Sequence, residues 1–379
     1  GIRLPPLRFF DRGKMRADIL RLLRTNVRHA RDFEGDLMAQ IGSAKLAERR
    51  LHALERDFGS EVILASVTRI LEATEKQTRA VISEWRDGIY EGTALLDDDG
   101  RGHEDIAIRA KVTVSGSSLT VDLTQSDDEV ESFVNSSLAN TRSAVLVAIS
   151  VLLDPETPKN EGVARAVEIL TRPGSIVNPN PGKPVTMCTS HCGNEIIEAV
   201  VVALSEACPE RAMGGWGRRL RIALKGSDPR NGRAFIWHMF HARPGGGASS
   251  AGDGWHNAGE WHSAGGLKFG SVEVAETRFP LYFARHEFRP DSGGDGRYVG
   301  GTGVDLELKV ETDAPVVANV AGEGVRHGAR GMLGGADGAP HRYALLAPGE
   351  AEVLLASKIE GLAVPAGSTF LVQSGGGGG

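Results

Sequence analysis

The stretch RFPLYFARHEFRPDSGGDGRYVGGTGV, from Arg278 to Val304, decides how the second half of the chain folds. Its first part alternates apolar and polar residues with a period close to two, which predicts a half-buried strand that ends at Pro290. A loop dense in glycine, aspartate and arginine follows, and its glycines allow backbone conformations with positive φ. Asp291, Ser292 and Arg297 supply this loop with an acceptor, a hydroxyl group and a fork of donors.

Two interpretations of this loop remain open. Its residues either form a tight turn between strands, with an internal pair of aspartate and arginine, or they face a substrate. The second interpretation makes Asp291 and Arg297 candidate catalytic residues. It also makes Ser292 a candidate substrate-binding residue.

Length and composition indicate a globular protein. The chain has 379 residues, of which 41% are hydrophobic and 24% charged, so it can bury a large core in one to three domains. The net charge is −6, and lysine and arginine are scattered, which argues against a nucleic-acid partner. No apolar run approaches the roughly 20 residues that span a bilayer, so no membrane association is expected. The odd number of cysteines, 3, without a secretory segment favours reduced thiols in the cytoplasm.

The hydrophobic periodicity predicts an α+β protein in three parts. Residues 1–90 form a helical N-terminal part, because apolar residues recur there at helical spacing. Its last helix runs from Glu61 to Trp85 and turns Val62, Leu64 and Val67 inward. Residues 91–215 form a mixed part, and residues 216–379 form a β-rich part that ends in a mobile tail of glycines, because glycine has no side chain to pack.

Further elements are predicted within the mixed part. They are an acidic, solvated turn at residues 97–100, a β-hairpin over 106–123, helices over 138–153 and 194–207, and a strand over 163–170. Asn160 and Glu161 lie in the loop between the first of these helices and the strand. A polar loop at such a junction is a common place for a site, so both are candidate substrate-binding residues.

A cluster of thiols and imidazole precedes the predicted helix at Asn194. Cys188, His191 and Cys192 are soft ligands suited to zinc, but a four-coordinate site needs more ligands, and Cys208 lies beyond the helix. Structural residues at a helix entry are one alternative. The other is a pocket in which His191 acts in catalysis and Asn194 binds substrate, since helix N-termini favour anionic groups.

A second cluster is rich in histidine. Its members are His238, His241, His256 and His262, with Asp253, Trp255, Glu260 and Trp261. A neutral imidazole can exchange a proton near neutral pH, and Asp253, a candidate substrate-binding residue, can orient it. Surface or interface histidines beside aromatic residues are the alternative. The sequence has no Walker A, G-x-S-x-G or H-E-x-x-H motif, so it is not expected to bind ATP itself.

Several stretches of the chain resemble, in the same order, blocks of the hydantoinase B and 5-oxoprolinase family, which includes N-methylhydantoinase and the acetone carboxylases. These stretches are GIRLPPL at 1–7, residues 26–40, 122–124, 158–169, 173–179 and 278–304. The resemblance implies a B-type subunit of an ATP-dependent amidohydrolase complex, which opens a hydantoin, 5-oxoproline or a lactam. One alternative is a subunit of an acetone- or acetophenone-type carboxylase. Another is a non-catalytic scaffold portion of such a complex.

The resemblance also implies the partners and cofactors. A hydantoinase A-type ATPase subunit uses the ATP and activates the small-molecule substrate, so a hetero-oligomer is expected. The family's B-type subunits are longer, and this chain looks like an internal or C-terminal portion of one. The family's metal ligands lie in an upstream region that has no match here. A divalent metal is therefore expected only through that region, and no metal ligand is assigned to this sequence.

Overall fold

The computed structural model describes residues 4–263, 265–266 and 268–379. Its helices are α1 (Ala17–Thr25), α2 (Ala30–Phe58), α3 (Ser60–Ile82), α4 (Leu138–Leu152), α5 (Glu161–Ala164), α6 (Cys192–Leu204) and α7 (Val272–Arg278). The first eight strands are β1 (Phe10–Asp11), β2 (Lys14–Met15), β3 (Gly88–Asp98), β4 (Glu104–Ser115), β5 (Ser118–Asp122), β6 (Val167–Leu170), β7 (Ile222–Asp228) and β8 (Arg233–His238). The others are β9 (Leu281–Phe288), β10 (Val304–Val310), β11 (Val316–Ala321), β12 (Arg342–Leu346), β13 (Val353–Leu354), β14 (Lys358–Val364) and β15 (Thr369–Gln373). The predicted α+β class is confirmed.

The chain divides into two compact units, one ending at Leu71 and the other comprising Glu72–Gly379. The first unit is helical, as the apolar spacing predicts. The inward orientation predicted for the α3 residues Val62, Leu64 and Val67 is wrong, because these side chains are 53%, 68% and 50% exposed. Helical spacing defines which side chains share a face, but it does not show that another element covers that face. No helix among the described residues is long and apolar enough to cross a bilayer.

The second unit begins with a sheet of order β3-β4-β5-β6. The predicted hairpin is confirmed, with Val112 of β4 opposite Val121 of β5, and β6 adds in parallel to β5. The strand predicted over 163–170 is partly wrong, because its first residues form the short helix α5. The acidic turn is also not solvated. Asp97 lies within β3, and Asp97 and Asp99 are each only 1% exposed. Backbone N–H groups bind both carboxylates: Val325 donates to Asp97, and Arg101 donates to Asp99.

Helices α4 and α6 cover this sheet, and the prediction of a helix for each is confirmed. Apolar residues of both helices and of the sheet form one buried core. Gly92 of β3 allows α6 to approach closely. A Cβ added at Gly92 would lie 2.0 Å from the carbonyl oxygen of Ala199 and 2.7 Å from the amide nitrogen of Ala203. This backbone contact therefore sets the distance between α6 and the sheet.

Two further sheets share a second core. Their orders are β14-β11-β7-β8 and β13-β12-β15-β10-β9. The strand predicted before Pro290 is β9, which pairs with β10 at the edge of its sheet. Leu281 is buried, but Phe288 is 59% exposed because an edge strand is covered less at its far end.

Glycine-rich segments pack against each other beside these sheets. The segments are 214–217, 245–247, 293–303, 331–338 and 375–379. The Gly377 N–H donates to the Gly301 carbonyl at 2.9 Å, and the Gly294 N–H donates to the Gly377 carbonyl at 2.8 Å. The prediction that the glycine tail does not pack is wrong, since Gly375–Gly378 are buried. Without side chains, these backbones approach closely enough to pair their peptide groups with one another.

Candidate active site at the N-terminus of helix α6

The loop after β9 does not bring its three predicted site residues together. The Ser292 hydroxyl donates to the Arg289 carbonyl and accepts from the Gly303 N–H, both at 2.9 Å, so it holds the turn. Asp291 is exposed with a φ of 53°, and in the described structure no ion pair joins it to Arg297. Arg297 stacks on Tyr298 and lines a cavity of about 340 Å³.

Three other predicted residues lie in separate places. Asp253 is exposed and accepts the Val299 N–H at 2.9 Å. Asn160 caps α5 by accepting the Gly162 N–H at 2.8 Å, and its amide donates to Thr74. Glu161 is exposed in the first turn of the same helix.

His191 and Asn194 do lie together, at the N-terminus of α6. The Asn194 side-chain oxygen Oδ1 accepts the backbone His262 N–H at 3.0 Å and lies 3.1 Å from the His262 ring Nδ1, so it holds the loop that carries this histidine. The His191 ring is fully buried, with Nδ1 3.2 Å from the Ser190 hydroxyl. Its Nε2 has no hydrogen-bond partner among the described residues. Burial first, and then the positive charges of Lys358, Arg219 and Arg221, lower the pKa of His191 well below its usual range. The ring is therefore neutral at pH 7.

Three arginines and one carboxylate form a cluster beside this histidine. Arg219, Arg221, Arg243 and Glu260 are called the arginine cluster below. Arg219 and Arg243 both donate to Glu260 Oε1, and the Arg219 bond measures 3.0 Å. Burial opposes the ionisation of Glu260, but the charges of Arg243 and Arg219 hold its pKa below its usual value. Arg221 instead contacts His238 Nδ1 at 2.7 Å and the Met187 sulfur at 3.3 Å.

An acidic cluster lies along the same helix. It comprises Asp97, Glu195, Glu198 and Glu323 with Arg218 and Lys358. Arg218 donates to both oxygens of Glu198 at 2.6 Å. Its Nη2 also lies 3.1 Å from Glu195 Oε2, which is close enough for an ion pair but too poorly aligned for a hydrogen bond. Burial raises the pKa of Glu195 well above its usual value, and the Arg218 charge only partly opposes this.

The second ion pair of the acidic cluster is Lys358 with Glu323, at 2.7 Å. Burial raises the pKa of Glu323 to about 7, although the Lys358 charge opposes the rise. Lys358 also lines a cavity of about 260 Å³ with Ser132 and Phe133, and the Phe133 ring lies edge-on to the His191 ring. Groups that titrate near neutral pH beside a cavity are typical of functional sites.

The cysteines and the other histidines do not converge. All three cysteines are free thiols, and burial raises the pKa of Cys208 to about 12. His241 packs against Trp237 and Phe283, and His256 contacts Thr302. Over residues 4–263, 265–266 and 268–379, no three His, Cys, Asp or Glu side chains are placed to hold a metal ion.

Sequence reasoning missed the arginine cluster. One signal was available, because Arg219 and Arg221 are two residues apart in GRRLRIAL, just before β7, and Leu220 and Ile222 between and after them are buried. Residues two apart in an extended segment point to the same face, so these two cations could be expected to lie side by side.

The chain belongs to the hydantoinase B/oxoprolinase family, whose sequence pattern matches residues 1–379. The beta chain of the caprolactamase of Pseudomonas jessenii is 35% identical over 327 residues, which are 86% of this chain and 56% of that protein. The B component of a putative D-/L-hydantoinase of Pseudomonas sp. (strain NS671) is 26% identical over 89% of this chain and 58% of its own length. The chain thus spans little more than half of these curated relatives.

Two solved structures share the fold. The crystal structure of the ATP-dependent caprolactamase from Pseudomonas jessenii matches 99% of this chain and 66% of its own chain, with a TM-score of 0.88 and 30% identity. A nucleotide-free structure of acetone carboxylase matches 100% of this chain and 56% of its own, with a TM-score of 0.87. At 18% identity, the second likeness shows the fold alone.

Proposed function

We propose that this chain acts as the B-type subunit of an ATP-dependent amidohydrolase complex that opens a cyclic amide such as a lactam, a hydantoin or 5-oxoproline. The observation that carries the proposal is the 35% identity to the beta chain of a caprolactamase over 86% of this chain. The partner is a hydantoinase A-type ATPase subunit, which uses the ATP and activates the substrate in the cytoplasm. A divalent metal, if the reaction needs one, comes from outside this chain's described residues.

The site is proposed at the N-terminus of α6, with His191 in catalysis and Asn194 in substrate binding, while the Asn194 side chain also holds the His262 loop. The contacts between Asn194 and His262 support this choice, as does the buried, unpaired Nε2 of His191. A neutral imidazole can accept a proton from the attacking water or donate one to the departing nitrogen. Burial first, and then the charges of Lys358 and Arg219, lower the pKa of His191 and keep its imidazole neutral.

The other predicted residues remain candidates with distinct positions. Asp291 and Arg297 are proposed as catalytic residues only if the cavity beside Arg297 receives substrate. Substrate binding is proposed for Ser292, Asp253, Asn160 and Glu161. Ser292 and Asp253 also hold turns, and Asn160 also caps α5. The proposed domain boundaries remain at residues 90 and 215.

The test uses the complete complex with its ATPase subunit. Lactam-dependent ATP hydrolysis and ring opening are expected, and they should fall at least tenfold in His191→Gln while the complex still assembles. His52→Gln changes an exposed histidine of α2 and is the matched control. Ketone- and bicarbonate-dependent ATP hydrolysis without lactam turnover would instead identify a carboxylase. Full activity after substitution of every candidate site residue would identify a scaffold.

A further inference from the structure

We propose that the arginine cluster is a binding site for a small, doubly charged oxyanion of the phosphate class. The site is formed by Arg219, Arg221 and Arg243, with the His191 ring and the N-terminus of α6 beside them. The proposal concerns binding alone. It therefore holds whether the complete complex is a hydrolase or a carboxylase.

The charges within the cluster do not balance. The cluster contains three guanidinium groups and one carboxylate, that of Glu260, which leaves two positive charges in excess. Arg219 and Arg243 share a single oxygen of that carboxylate. Within the described residues, Arg221 has no carboxylate partner, because its side chain contacts only His238 and Met187. Two excess positive charges match one dianion.

Solvent cannot easily neutralise these charges. Arg243 is 1% exposed and Arg219 is 7% exposed, so water screens them little, and the two buried charges share the single counter-ion Glu260. Burial lowers the pKa of Arg221, and the neighbouring Arg219 charge lowers it further. A bound anion would remove this repulsion, since arginine forks bind tetrahedral oxyanions with paired hydrogen bonds.

The acidic cluster does not supply the missing negative charge. Its carboxylates already bind Arg218, Lys358 and backbone N–H groups. Two of them, Glu195 and Glu323, have pKa values raised by burial, so they carry less than a full negative charge near neutral pH.

The neighbouring neutral groups also suit an oxyanion. The His191 Nδ1 lies 3.2 Å from the Ser190 hydroxyl, and Nε2 has no described partner. In the tautomer in which Nδ1 accepts from Ser190, Nε2 carries a hydrogen that can be donated to an oxyanion. Helix α6 begins at the next residue, and the positive end of its dipole favours negative charge. Arg221 and His238 are only partly buried, and Phe240 is 43% exposed, so the cluster has an open side through which a ligand can enter.

The experiment titrates inorganic phosphate into the full chain at constant ionic strength, without ATP, partner or amide, and follows heat and thermal unfolding. Saturable binding and a higher melting temperature are expected. The dissociation constant should rise at least tenfold in Arg221→Gln and remain within twofold of wild type in Arg233→Gln, which changes an exposed arginine of β8. Acetate, a single charge, should bind at least tenfold more weakly than phosphate.

Further arms distinguish the sources of the oxyanion and control for folding. If phenyl phosphate displaces inorganic phosphate, the natural ligand is the phosphoryl group of a larger molecule. If it does not, the natural ligand is free phosphate. Either outcome supports an oxyanion site. Arg221→Lys keeps the charge without the fork and should lose affinity to an intermediate degree. The proposal is overturned if wild-type chain binds no phosphate, or if folded Arg221→Gln binds it as tightly as wild type.

Discussion

Replacement of Gly245 by alanine should severely destabilise the second unit. The added Cβ would lie 1.8 Å from the Gly301 carbonyl oxygen, whereas ordinary contacts begin at 3.4 Å, so the backbones must separate by about 1.6 Å. Gly301 accepts the Gly377 N–H at 2.9 Å, and the Gly245 N–H donates to Gly375 at 3.0 Å. A separation of that size breaks both hydrogen bonds.

The magnitude follows from these two losses. Each buried backbone hydrogen bond that is broken costs about 1–3 kcal/mol, and overpacking adds about 1–3 kcal/mol. The sum, about 3–9 kcal/mol, is a large part of the roughly 5–15 kcal/mol that stabilises a typical domain. Gly270→Ala is the matched control, because a Cβ there meets no described atom within 4 Å.

The assay is denaturant unfolding followed by tryptophan fluorescence, since Trp216 and Trp255 lie beside the glycine-rich segments. The midpoint for Gly245→Ala should fall sharply, or the variant should not accumulate as folded protein. Gly270→Ala should stay within about 0.5 kcal/mol of wild type. If the two variants unfold within about 1 kcal/mol of each other, the steric reasoning is refuted.

Three further predictions concern charge and helix propensity. Because the pKa of Glu323 is about 7 in the folded chain and ordinary when unfolded, its contribution to stability is complete below pH 4.5 and lost as the pH rises through 7. Between pH 5 and 8 the free energy of unfolding should therefore fall in wild type, and Glu323→Gln should remove up to about 3 kcal/mol of this fall. An unchanged dependence of the unfolding free energy on pH in the variant would contradict the raised pKa of Glu323. Arg218→Met should cost about 3–5 kcal/mol by leaving the Glu198 carboxylate unpaired, and Arg218→Met with Glu198→Leu should recover part of it in the same assay. Gly42→Ala, in open space on α2, should raise the helical circular dichroism signal and stabilise α2 by about 1 kcal/mol; a loss of helix would argue against an exposed position.

Elements with long, regular apolar spacing could be predicted from sequence. Helices α4 and α6 and the hairpin of β4 and β5 lie within a few residues of their predicted bounds. Strand β3 was not predicted, because GIYEGTALLDD lacks clear alternation. The glycine-rich packing was also beyond prediction, since a segment without side chains has no polarity pattern to analyse.

The candidate site was predicted only in part, because its contacts join residues far apart in sequence. His191 and Asn194 could be selected since they stand at the start of a helix. Their partner His262 is 68 residues from Asn194. Arg219 and Glu260 are separated by 41 residues, and a charge that pairs over such a distance looks like a surface residue in the sequence.

Gly92 has a consequence for reshaping the proposed site. It carries no side chain and lies on a strand, yet its contact with Ala199 determines how far α6 stands from the sheet and hence where His191 and Asn194 are positioned. A single methyl group added there would displace the whole helix rather than one side chain. Changes aimed at enlarging the proposed site can therefore begin at this glycine, with the helix itself as the moving part.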